Sequence, residues 1–414
     1  MNILEIEKKS FYRYSKKVGI EPQTLLNRLK VTIQSRFYSL DKNSKGAYQS
    51  QKLLEQYGLD LDNFTLQNFL EAGQKSIKVF CDESINNIEK YFKKNGKFYK
   101  NEIDLIRKNA LKSAIDCDAS ENWLSLFLKT IPVIQSFDFD LEAYVKQSES
   151  EYSIIFNRTI NDLSERYLLP TVINTLFKTM SSGEVASQDF LEKVFLKSAK
   201  GIAELAKLYE DGIKTEKMLE LDMDKELSEI SEIVSISIAA MNSCVVQFIL
   251  LHEYSHVILN HIQSDNYHSN EVQADILAFN ILLDSVVDFV KCDKLSAIFQ
   301  VISPLIFINF LVVIDAVKGF SISKSHPHPF ARLVYLSIMS REYMQQSFHD
   351  YCYTLFEVTA SYTYLFSKTM QLFYNPTHLM KEIKSIDLKF LNNIDFKLIH
   401  NGKIFQLRNL ICKI

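Results

Sequence analysis

Chain-breaking residues are scarce in this sequence. Glycine occurs ten times and proline seven times in 414 residues, while Leu, Ile, Phe, Lys and Glu are common. Few breakers and many helix formers exclude a turn-rich all-β fold and predict a mostly helical protein. Cysteine is sparse too. The six residues, Cys81, Cys117, Cys244, Cys292, Cys352 and Cys412, form no CxxC pair, and a chain this long is not a disulfide scaffold. They read as reduced thiols. Excess charge of one sign is also missing. The net charge is -3, and short basic clusters such as Lys93-Lys94 and Lys97 are interleaved with acids, so no nucleic-acid partner is expected. Met1 to Lys17 carries charges along its length without an apolar core segment, so no secretory signal is expected and the chain reads as cytoplasmic.

What is present is an ordinary globular balance, 47% hydrophobic and 23% charged. Helical spacing of apolar residues recurs at Ile103, Leu105, Ile106, Ala110 and Leu111, and again at Phe190, Leu191, Val194 and Phe195. Short strands are expected at Ile77 to Cys81 and Tyr152 to Phe156, and a break at Ser181 to Gly183. Residues 210–232 read as an acidic amphipathic helix. From Ile233 to Leu259 nearly every residue is apolar or small, which predicts a central helix buried on most sides. A polar loop, a helix over about 270–287, an apolar helix over 295–317 and a loop over 321–328 follow. Pro329 suits the first position of another helix. Asn401-Gly402 between two alternating runs predicts a terminal β-hairpin. Leu295 to Ile314 has no formal charge and is long enough to span a bilayer, but Gln300, Ser303, Pro304 and Asn309 interrupt it. A buried core helix is the preferred reading, and membrane association the alternative. The organisation expected is a helical region over 1–230, for substrate recognition or regulation, followed by a catalytic region over 231–414.

The chemistry lies on the central helix, in His252-Glu253-Tyr254-Ser255-His256. Histidines at i and i+4 lie one turn apart on one face, so both imidazoles reach one tetrahedral metal ion. Glu253, one residue along, points beside the metal, where a base acting on bound water belongs. Two histidines and a glutamate on so apolar a helix are costly to bury without a partner, and a metal supplies one.

A catalytic zinc needs a third protein ligand and an open position. His261, nine residues after His252, falls on the opposite side of a continuing helix and reads as a helix-end histidine near the C-terminal dipole. Glu271 opens the next helix and is the expected third ligand. Asp275 shares its face at i+4, placed to accept the second N–H of a metal-bound imidazole. Ala274 is small enough for the two helices to approach closely.

HExxH followed by ExxAD resembles the gluzincin metallopeptidases, and more tightly the superfamily of the CAAX prenyl protease and the bacterial heat-shock membrane metallopeptidases. Those proteins carry a downstream HPxxxxR element, and this chain has His326-Pro327-His328-Pro329-Phe330-Ala331-Arg332. The resemblance spans about Ile233 to Leu336. It implies a zincin-like core in a mainly α protein with a small β component, and active-site roles for His326 and Arg332 in orienting substrate or stabilising the oxyanion. Soluble phage-exclusion metallopeptidases have a similar core. Residues and resemblance together predict a Zn²⁺-dependent endopeptidase acting on a protein or peptide, with Glu253 as general base. A membrane-associated quality-control protease and a zinc-binding regulatory protein are the alternatives.

Overall fold

A computed structural model describes residues 2–38, 54–112, 121–137, 143–148, 151–158, 232–261, 267–290, 299–308, 329–347, 397–400 and 403–406, and singly 115, 117 and 311. Those residues form a mainly helical protein with a small three-stranded sheet and a hairpin, as composition and turn signals imply. The expected features at 181–183, 190–195, 210–231, 312–317 and 321–328 lie outside the described residues.

Helices α1 (Ile3–Val18) and α2 (Pro22–Tyr38) form a small core with the start of α3 (Leu66–Asn95). Thr65 begins α3 by accepting the Asn68 amide on its hydroxyl, and Lys93 and Lys94 close it against the C-terminal dipole. The strand expected at Ile77 to Cys81 is not formed, because those residues lie inside α3. Apolar, β-branched character suggested a strand locally, but Ile77, Cys81, Ile85, Ile88 and Phe92 continue one buried helical stripe. Helix α4 (Lys100–Lys112) forms where the helical spacing placed it, and α5 (Trp123–Lys129) follows.

The sheet runs β1-β3-β2, with β1 (Val133–Ser136) parallel and β2 (Tyr144–Ser148) antiparallel to β3 (Glu151–Asn157). Strand β3 contains the expected Tyr152 to Phe156. The open edge of β1 is covered by α1, where Glu7 accepts the Gln135 amide (2.7 Å) and Ser10 Oγ the Phe137 amide (3.0 Å). Glu7 is fully buried and also accepts from Gln74 Nε2. Burial pushes its carboxyl up to about 7, against the lowering effect of those hydrogen bonds and of Arg158. The folded value thus lies above the unfolded one of about 4.3. The stability that protonated Glu7 contributes is complete below that pH and declines as pH rises through 7. Glu7→Gln should therefore flatten the fall of the urea midpoint between pH 5 and 8.

Helix α6 (Glu232–Ile258) is the central apolar helix. It packs along α7 (Tyr267–Val290) and also meets α3, α4 and β2. One continuous core joins these elements to β1, β3, the helical residues 299–308 and α8 (Pro329–Ser347), which begins at Pro329 as expected. Residues 299–308 are buried, and no helix among the described residues is long and apolar enough to cross a membrane. Strands β4 (Lys397–His400) and β5 (Lys403–Gln406) pair antiparallel around the expected hairpin, whose turn residues lie outside the described set. Cys81, Cys117 and Cys244 are buried thiols, outside any disulfide.

Candidate metal centre

The i, i+4 spacing on α6 places His252 and His256 with their Nε2 atoms 3.0 Å apart. From α7, Glu271 reaches between them. Its Oε2 lies 3.2 Å from His252 Nε2 and its Oε1 3.3 Å from His256 Nε2. One donor atom from each residue falls within 4.8 Å of the others, and among the described residues this is the group that can hold a metal ion. The fit is good. In a tetrahedron with bonds of about 2.0–2.1 Å the edge between neighbouring ligand atoms is about 3.3–3.4 Å. Two ring nitrogens facing each other at 3.0 Å repel unless a proton or a cation lies between them.

The charges point the same way. Burial alone would lower the His252 imidazole, but the Asp275 and Glu271 carboxylates outweigh it and hold it up at about 10. The Glu271 carboxyl is held well below its ordinary range, because both histidines outweigh its burial. The cluster thus stabilises a positive charge among its donor atoms. Glu253, only 4% exposed, is raised by burial, an effect the two imidazoles partly offset.

Asp275, at i+4 from Glu271 and fully buried, is the hub behind the cluster. Its Oδ1 lies 2.8 Å from His252 Nδ1. Arg332 donates to both carboxylate oxygens, Nε to Oδ2 and Nη2 to Oδ1, each at 2.7 Å, and the Tyr335 hydroxyl donates to Oδ2. Burial alone would raise the Asp275 carboxyl, but Arg332 first and His252 second outweigh it and hold it well below the usual carboxylate range. Arg332, which the resemblance assigns to orienting substrate or stabilising the oxyanion, has its Nε and Nη2 committed to Asp275. His326 lies outside the described residues.

Two partners escape a reading of the sequence. Tyr335 sits three residues after Arg332 on α8 and so shares its face, a signal that the HPxxxxR element leaves out. His261 does not continue α6. Asn260 adopts φ 54, a left-handed conformation that asparagine tolerates, and the chain turns there. His261 is thereby folded back onto His256, with Nδ1 to Nδ1 at 3.1 Å, and its Nε2 lies 3.1 Å from Gln273 Oε1. Burial and the neighbouring His256 push the His261 imidazole down to about 3. His261 does not fall on the opposite side from the cluster, because the helix ends at Ile258.

The arrangement as a whole comprises three buried donors around one point, an acid beside them and a charged support behind. It suits the hydrolysis of a polarised bond by an activated water. No curated protein and no solved structure matches the chain. Residues 199–345, about a third of the chain, carry α6, α7 and nearly all of α8 and with them every described side chain of the cluster; they match the model of the Peptidase U49 family, and the match supports a peptidase.

Proposed function

We propose that the chain is a zinc-dependent endopeptidase, in which His252, His256 and Glu271 hold the metal and Glu253 is the general base. The observation that carries this reading is the convergence of two imidazole nitrogens and a carboxylate at 3.0–3.3 Å in a buried group, with Glu253 one residue along the same helix. A His₂Glu donor set suits zinc, and zinc bound there supplies a Lewis acid that acidifies water and polarises a carbonyl.

The chain's own residues do the rest. Glu253, its basicity raised by burial, takes a proton from the attacking water and returns it to the leaving amine. Asp275 fixes the orientation of His252, and Arg332 with Tyr335 fixes Asp275, so Arg332 acts one step behind the ligands. His326, by the resemblance of its HPxxxxR element, is the proposed oxyanion donor. Residues 1–230 are proposed to recognise a protein or peptide substrate or to restrain the cleft, in a cytoplasmic setting. The ordered HExxH, ExxAD and HPxxxxR elements support kinship with the CAAX prenyl protease superfamily.

Cleavage of a peptide library, read by mass spectrometry, tests the reading. A strong chelator should abolish it, and about one equivalent of Zn²⁺ should restore it. Cleavage that persists in the chelated protein would refute the metal mechanism.

A further inference from the structure

We infer that His261 and Gln273 are positioning residues for His256, forming a neutral imidazole-to-amide chain that fixes which ring nitrogen His256 presents to a metal. The inference rests on the metal-centre reading above. His256 Nε2 faces the cluster, 3.0 Å from His252 Nε2 and 3.3 Å from Glu271 Oε1. A ligating nitrogen carries no hydrogen, so the His256 proton sits on Nδ1 and is donated to His261 Nδ1 across 3.1 Å. His261 then has its own proton on Nε2, and that atom lies 3.1 Å from the Gln273 carbonyl oxygen, an acceptor. Gln273 Nε2 in turn donates to Ser269 Oγ at 3.4 Å. One choice of tautomers gives every member of the chain its proper role.

The chain is anchored at both ends. Asn260, the one non-glycine residue with positive φ among the described residues, turns His261 back. Asn270 Nδ2 donates to the His261 carbonyl at 3.3 Å, tying that turn to α7. His261 is buried and Gln273 is exposed, so the chain runs from the centre to the surface. The two histidines of the cluster are thus supported differently. His252 rests on the anion Asp275, which Arg332 neutralises, whereas His256 rests on uncharged groups. A carboxylate in place of His261 would add another anion to Glu253, Glu271 and Asp275.

The test is the zinc affinity of the full-length protein, measured by competition with a chromophoric chelator for wild type, His261→Phe, His261→Gln and Gln273→Leu. The ¹⁵N shifts of the imidazoles in the zinc-loaded protein are recorded alongside. Loss of a hydrogen-bond partner behind a metal-binding histidine costs about 10–100-fold in affinity, and that weakening is expected of His261→Phe. His261→Gln, whose amide both accepts and donates, should recover most of the loss. Gln273→Leu should weaken binding in the same direction but less, and the wild-type shifts should place the His256 proton on Nδ1. Phe and Gln variants equally weak, or a His261→Phe affinity within threefold of wild type, would overturn the inference. If His261→Phe fails to fold, Gln273→Leu at its exposed position decides, and unchanged affinity there overturns it. Zinc binding by wild type with indifferent variants removes this inference alone; no zinc binding by wild type removes the metal-centre reading with it.

Discussion

Glu253→Gln should keep one zinc per chain and lose turnover by a factor of about 10²–10⁴, the usual contribution of a positioned general base. The substitution is nearly isosteric and removes only the ability to take a proton. Glu253 is buried, within electrostatic reach of both imidazoles and of Glu271, and the amide occupies nearly the same volume. Two readouts separate the roles. Elemental analysis reports the ligands, and the single-turnover rate with a cleaved peptide reports the base. Normal cleavage by this variant would remove Glu253 from the mechanism, and loss of zinc would make it a ligand instead.

Asp275→Ala should be the most damaging change to stability in the site. It strips the Arg332 guanidinium of its counter-charge while leaving it buried, and it takes the acceptor from the Tyr335 hydroxyl and the partner from His252 Nδ1. Breaking a buried pair by removing one partner costs about 3–5 kcal/mol, most of it from the stranded charge. Replacing both partners with apolar groups costs far less. Asp275→Leu combined with Arg332→Met should therefore recover much of the stability lost in Asp275→Ala. The double variant should still bind zinc about 10–100-fold more weakly, because His252 remains unsupported. Urea denaturation and chelator competition on the same preparations check both halves. A double variant as unstable as Asp275→Ala would mean that the charge is not the source of the cost, and full zinc affinity in it would mean that Asp275 does not position His252.

The two halves of the site were unequally legible in the sequence, for a geometric reason. His252, His256, Glu271 and Asp275 all lie within regular helices, where spacings of four residues dictate a shared face. Two predicted helices then place all four residues from the sequence alone. His261 follows a left-handed residue, and no helical periodicity carries across Asn260. Arg332 sits on a helix that was expected, but the direction of its side chain depends on how α8 lies against α7, a long-range packing outcome. The same division holds for the fold. The apolar run of α6 and the two strands on either side of Asn-Gly are local signals, and both are seen. The parallel pairing of β1 with β3 joins residues across an intervening strand, with the edge of β1 supported by Glu7 from the first helix, and no local pattern announces it. At Ile77 to Cys81 a short window read alone misled, because the stripe that decides the outcome runs the length of a 30-residue helix.

The most direct test of the account is the metal content of wild type and Glu271→Ala, both purified without added metal. The expectation is about one zinc per chain in the wild type and little in the variant, which loses one of three converging donors while keeping both histidines of α6. A wild type without metal even after zinc is offered, or a variant with its full complement, would contradict it.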